Sequence, residues 1–279
     1  MSTLRSILLH LDASPRSAAR LLLARELAAR HGARITALYA SAPGVLDLPF
    51  AMTEGAAEVL SILQQLDTDR RDDAWRMFEQ ANSQAASPMH WHELHHEPVV
   101  SGVAAHALYV DLLVLGQQDG NDPLPRGVPS DFIASVMIAS GKPALVVPYV
   151  DVCTTVGLNV LIAWKPTREA ARAVSAAVPM LKYAKQIHLS AELGDDPPAP
   201  GVADLIAHLR LHGVLAPIER HGAVPAGSPG DGLLSLAADV GADLLVMGCY
   251  GHTRARELVL GGASRTVLQS MTLPVLMAH

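Results

Sequence analysis

The chain has 279 residues, 50% of them apolar and 17% charged, with a formal net charge of -6. That length provides for about two domains with conventional buried cores, and the aliphatic content excludes intrinsic disorder as the main state. The acidic balance argues against a nucleic-acid or anionic-membrane partner, and 4% aromatic residues are too few for a base-stacking platform.

The two cysteines, Cys153 and Cys249, are too few for a disulfide framework or a four-cysteine zinc site. Two free thiols are the plain reading, and one regulatory disulfide is the sharper one. Near the start, only the run Ile7 to Leu11 is apolar before Asp12, too short for a signal peptide. No uncharged apolar run approaches the ~20 residues of a membrane helix. A cytoplasmic protein is expected.

In chain order, the first half predicts strand 6–11, helix 15–31, strand 34–40, a long helical region 51–84 and strand 89–96. Helix 99–108, strand 111–116, helix 131–140 and strand 144–148 follow. The second half predicts strand 159–164, helix 168–182, strand 186–191, helix 201–212 and strand 215–220. Helix 230–240, strand 243–247, helix 263–271 and strand 274–278 complete it. Ser14 offers a capping oxygen with Pro15 at the first helical position, Thr167 caps the corresponding helix, and His31-Gly32 is a natural stop.

This series is an internal repeat. Residues 111–116 read Asp-Leu-Leu-Val-Leu-Gly and 243–248 read Asp-Leu-Leu-Val-Met-Gly. Each leads through a helix to a strand introduced by proline, Pro143 or Pro274. We read two units, 1–150 and 157–279, joined by a linker near Asp151 to Gly157. Near-continuous aliphatic strands alternating with helices define an α/β fold: two tandem open, parallel, doubly wound, Rossmann-like sheets. The units are expected to pack as a pseudo-dimer along strands 144–148 and 275–278. In such sheets ligands bind beyond the carboxyl ends of the strands.

The strongest chemical signal is Gly248-Cys-Tyr-Gly251, nine residues, then Gly261-Gly262-Ala263-Ser264 opening a helix. Glycines let backbone amides approach an anion, and the helix N-terminus adds unpaired donors and a positive dipole end. Ser264 can donate its hydroxyl, and Arg254, Arg256 and Arg265 lie nearby in sequence. The bland alternative is a set of tight turns with Ser264 as a helix cap.

On these residues the chain resembles the universal stress protein family in its tandem two-domain form. The resemblance covers nearly the whole chain. It rests on Asp12 ending the first strand, the Asp-Leu-Leu-Val-x-Gly strand, and the Gly-x2-Gly-x9-Gly loop with its Ser-bearing turn. It implies that Gly248, Gly251, Gly261, Gly262 and Ser264 line a phosphate site for ATP, with Mg²⁺ accompanying the nucleotide. In the first repeat, Asp119 and Pro129 stand where Gly251 and Gly261 stand in the second, which argues against ATP there. Asp12 either binds a ligand or caps the adjoining helix. Its counterpart in the second repeat is Lys165, which either contacts phosphate or a base edge or is simply solvated. Each site is expected within its own unit rather than shared.

His92-Glu93-Leu94-His95-His96 matches the letters of a zinc-protease helix, but the segment reads as a strand, so no metal site is expected there. With His90, these histidines suggest an exposed, pH-sensitive edge, whereas His10 reads as a core histidine. Cys249 is either a redox-sensitive thiol or an inert buried one. No nucleophile–base–acid set, Gly-x-Ser-x-Gly elbow or Walker loop is present, so catalysis is not supported. The expected function is therefore a stress-response regulator binding ATP or another nucleotide or phosphate ligand in the C-terminal unit. A ligand-free adaptor for an unspecified protein partner is the alternative, a weak ATPase the third reading, and a homodimer of the whole chain is open.

Overall fold

The computed structural model describes residues 3–41, 56–85, 88–94, 97–118, 127–150, 155–191, 201–224, 228–249 and 262–279. The first half contains β1 (Ser6–Leu11), α1 (Ser17–His31), β2 (Arg34–Tyr39), α2 (Ala56–Ser83) and β3 (His90–Glu93). It continues with α3 (Val99–Ala107), β4 (Leu112–Gly116), α4 (Phe132–Ser140) and β5 (Ala144–Val147). The second half contains β6 (Asn159–Ala163), α5 (Arg168–Leu181), β7 (Gln186–Ser190), α6 (Val202–Leu211) and β8 (Ile218–His221). It ends with α7 (Pro229–Asp239), β9 (Leu244–Gly248), α8 (Gly262–Ser270) and β10 (Val275–Ala278).

The strands form one ten-stranded sheet in the order β3-β2-β1-β4-β5-β10-β9-β6-β7-β8. Within each half all pairings are parallel, and the halves meet where β10 runs antiparallel to β5, with Leu276 opposite Leu145. The two halves are thus joined by backbone hydrogen bonds through their last strands, as the repeat predicts. Helices cover both faces, so the strands carry aliphatic side chains on both. One apolar core lies under α1, α2, α5 and α6, the other under α3, α4, α7 and α8, and both run across the β5–β10 seam.

The aspartate of the repeated hexapeptide has a local job. Asp111 accepts hydrogen bonds from the Arg5 and Ser6 amides, and Asp243 from those of Gly157, Leu158 and Asn159. Each pins the start of a half's fourth strand to the start of its first. Thr167 caps α5 through the Ala170 amide, and Gly32 ends α1 at φ 63°, both as expected. Ser14 does not cap: α1 begins at Ser17, and its N-cap, Arg16, has no side-chain cap bond. The Ser14 carbonyl instead accepts the Ser17 amide, which delays the helix beyond Pro15.

Candidate functional site

Sheet register fixes which positions correspond. Ile7 pairs with Leu112 and Val160 with Leu244, so Asp12 and Lys165 occupy equivalent places after the first strand of each half. The same offset superposes the buried positions Arg20, Leu21, Ala24 and Leu27 of α1 on Ala173, Val174, Ala177 and Met180 of α5, so Arg20 corresponds to Ala173.

In the N-terminal half this crevice is filled by charge. Asp12 Oδ1 accepts from the Ser14 amide (3.0 Å), the Ser17 hydroxyl (2.9 Å) and the Arg20 guanidinium (2.6 Å). Asp12 and Arg20 are 6% and 4% exposed. Burial disfavours the carboxylate, yet Arg20, with help from His10 and the Ser14 hydrogen bond, holds its pKa well below the usual range. A Cβ on Gly116 would lie 1.8 Å from Arg20 Nη1, so the guanidinium occupies the space this glycine leaves. Asp12 is therefore committed internally, to the Arg20 ion pair and the Ser14 and Ser17 hydrogen bonds, and not as a cap of α1, whose N-cap has no side-chain bond.

His10, beside this pair, is buried against Phe132, and its Nε2 lies 2.9 Å from the Ala40 carbonyl oxygen. Burial pushes its pKa down to about 4, against the opposing pull of Asp12. An unfolded chain takes up this proton near the ordinary value of 6.5, so stability is complete above that pH. It drains as pH falls from 6.5 towards 4, by about 3 kcal/mol at ~1.4 kcal/mol per unit. Asp12 extends the loss below its ordinary 3.8, because its folded pKa is depressed. Urea midpoints recorded by circular dichroism should fall across pH 6.5 to 4 in the native chain and less steeply in His10→Leu. Equal slopes would contradict this assignment.

The C-terminal half is built differently at the same level. Lys165 is exposed after β6, in a turn where its carbonyl accepts the Thr167 amide (2.6 Å). Gly248 ends β9 against the first turn of α5: a Cβ there would lie 2.5 Å from the Ala170 nitrogen and 2.7 Å from the Glu169 carbonyl carbon. Close helix–strand packing by itself demands this glycine. Gly262 opens α8, exposed, with no atom of the described residues within 4 Å of an added Cβ, and Ser264 is buried in the same turn. The right-handed crossover from β9 to β10 sets this helix start at the carboxyl end of β9. Its first amides have no intrahelical acceptor, as at any helix start. Four of the six sequence-derived site residues, Lys165, Gly248, Gly262 and Ser264, thus lie at this end of the sheet or in the helix start beyond it. Gly251 and Gly261, with Arg254 and Arg256, lie outside the described residues.

Glu169 was not singled out by the sequence, whereas Cys249 takes the inert one of its two readings. Glu169, 3% exposed, brings a carboxylate to the first turn of α5 and is hydrogen-bonded to Arg168. Burial opposes its ionisation, but Arg168 carries its pKa below the ordinary value. An acidic residue in the first turn of α5 also suits the helix dipole. Cys249 is buried, its thiol donating to the Ala278 carbonyl, and burial and the Glu169 charge raise its pKa. Such a thiol is inert rather than redox-poised. Cys153 lies outside the described residues.

Of the histidine-rich segment, His90–Glu93 form a strand, as expected. His90 and His92 lie exposed on edge strand β3, and Glu93 is engaged by Arg71 and the Trp91 indole; His95 and His96 lie outside the described residues. Among the described residues, a cavity of about 450 Å³ lies elsewhere, lined by Ser6, Arg34, His92 and Tyr109 near the opposite ends of β1 and β2.

Two doubly wound parallel half-sheets of order 3-2-1-4-5, joined through their last strands, define a Rossmann-like α/β protein with crevices at the strand carboxyl ends. Residues 169–279 match the model of the universal stress protein family. A universal stress protein of Methanocaldococcus jannaschii is 32% identical over 53 residues, covering 19% of this chain and 33% of that protein. The crystal structure of a universal stress protein from Archaeoglobus fulgidus superposes with a TM-score of 0.66 at 16% identity, covering 98% of this chain and 97% of that one. A functionally unknown protein from Pseudomonas aeruginosa gives 0.50 at 14% identity, covering 98% and 92%. These structures share the fold. No described helix is long and apolar enough to cross a membrane.

Proposed function

We propose that the chain is a regulator built from two units, 1–150 and 157–279, in which the second binds a nucleotide or another phosphate-bearing ligand. The observation that carries this reading is the difference between the two crevices. The buried Asp12–Arg20 pair fills the first, whereas the equivalent positions in the second are Lys165 and Ala173. Ala173 cannot reach across as Arg20 does, and exposed Lys165 and Arg265 supply positive charge there. The α8 amides and Ser264 would receive phosphate oxygens, and Lys165 would reach phosphate or a base edge. Among the described residues, the buried carboxylate near Gly248, Glu169, is already paired with Arg168, so Mg²⁺ would arrive on the phosphates rather than on this carboxylate. An ATPase activity lacks an identified base.

Calorimetry with ATP, ADP and AMP on the intact chain tests this reading through Gly262→Asp. The open space at Gly262 accommodates the side chain, and a carboxylate at a helix start stabilises the fold by about 0.3–1 kcal/mol. The same charge repels an anionic ligand. Binding heat in the native chain, abolished in a variant of equal or greater stability, is expected. Heat absent for all three nucleotides would favour the adaptor, and heat unchanged by the substitution would place the ligand elsewhere.

A further inference from the structure

We propose that the chain binds a zinc-class divalent cation through His188, Glu219 and His221, at the outer edge of the C-terminal half. This site is separate from the nucleotide reading and does not rest on it. His188 lies on β7 and the other two on edge strand β8, with His188 opposite Glu219 and Ser190 opposite His221. Because strand side chains alternate, Glu219 and His221 share one face, while Arg220 between them points to the other and does not compete. His188 Nδ1 lies 2.9 Å from His221 Nε2 and 3.5 Å from Glu219 Oε2, and His221 Nε2 lies 3.9 Å from Glu219 Oε1. Donor atoms around a tetrahedral zinc ion are about 3.3 Å apart, for bonds of 2.0–2.2 Å. The observed spacings, two of them to different oxygens of Glu219, bracket that value, and one donor atom from each residue lies within 4.8 Å of the others, so side-chain adjustment closes the set on a cation.

The chemistry favours the ion. Two imidazole nitrogens face each other across a single shared proton, with a carboxylate alongside. On binding, that proton moves to the far nitrogen of its own ring, so both facing lone pairs engage the divalent cation as neutral imidazoles and Glu219 partly neutralises its charge. His188 is 7% exposed and held in a strand flanked on both sides, whereas the Glu219 side chain is 59% exposed and leaves an entry path. The Ser190 hydroxyl donates to the Gly222 carbonyl, fixing the chain just beyond His221. Two histidines and a glutamate form a recognised zinc donor set with a fourth position for water. Among the described residues no other group of three such donors converges. In the N-terminal half Thr36 stands where His188 stands, so the triad belongs to one half only. Binding would clip the edge strand β8 to β7.

The test is titration of chelator-treated full-length protein with Zn²⁺ by calorimetry, with Co²⁺ absorption as a reporter of tetrahedral coordination. Glu219→Gln and His221→Gln alter the exposed side of the site and leave buried His188 in place. His208 and His212 at the end of α6, with rings 4.4 Å apart, are a rival surface pair. We expect one Zn²⁺ per chain, a rise in thermal midpoint on binding, and at least ~10–100-fold weaker affinity in either variant. His208→Gln should bind as the native chain does. The proposal is overturned if no Zn²⁺ binds, if affinity survives both substitutions, or if it is lost with His208→Gln instead.

Discussion

Arg20→Leu is expected to cost about 3–5 kcal/mol of folding stability, the range for stranding one member of a buried ion pair. Asp12 would remain buried, with its carboxylate supported only by the Ser14 amide and Ser17 hydroxyl. Asp12→Leu should cost a similar amount, because Arg20 would then be the uncompensated charge, and its Nε already lacks a hydrogen-bond partner. The double variant Asp12→Leu/Arg20→Leu should recover most of the loss, since apolar replacement of both partners removes the desolvation problem altogether. Urea unfolding of the four proteins, combined as a double-mutant cycle, measures the coupling directly. Single variants within 1 kcal/mol of the native chain would mean that the pair does not hold this crevice shut.

Gly248→Ala is the second large effect. The added carbon would sit 2.5 Å from the Ala170 nitrogen, and a helix backbone cannot rotate aside as a side chain can. Relief requires α5 to lift from β9, so a loss of about 3 kcal/mol is expected, at the upper end for overpacking. Gly262→Ala, in open space at a helix start, provides the contrast and should be neutral or slightly stabilising. The comparison separates two meanings of glycine within one motif. Gly248 is required by packing, whereas an added Cβ at Gly262 meets no described atom. If Gly248→Ala unfolds at the native urea midpoint, close approach is not what selects this glycine.

Much of the architecture was readable from local patterns. Aliphatic runs and helical segments alternate with the periods of a doubly wound fold, and every expected element has a counterpart in the structure. The one misplaced helix start, at Ser14-Pro15, shows the limit of capping rules. Ser17 turns its hydroxyl to Asp12, and α1 begins only after that turn is complete. The histidine-rich segment was read as a strand from its flanking proline and strand-like pattern, and the fold agrees over His90–Glu93.

The site was legible only in part. Glycines before a helix can be recognised because anion binding requires backbone amides, whose availability is encoded locally. The closure of the first crevice was not visible, because Arg20 reaches Asp12 and Gly116 only once α1 lies on β1 and β4. The triad His188, Glu219 and His221 was missed for a similar reason. Its members are 31 and 33 residues from His188 in sequence and meet only through the β7–β8 register.

What the sequence by itself determined is the repeated unit, its order of strands and helices, and the loss of the glycine pattern from the first copy. Periodicity, capping residues and apolar runs act over a few neighbouring residues, so they can be read without coordinates. Tertiary structure alone decided which charges meet: Arg20 beneath Gly116 on one side, and two imidazoles beside a carboxylate on the other. Sheet register and helix placement bring such groups to within 3–4 Å, and at that range burial turns an unremarkable residue into either a plug or a ligand.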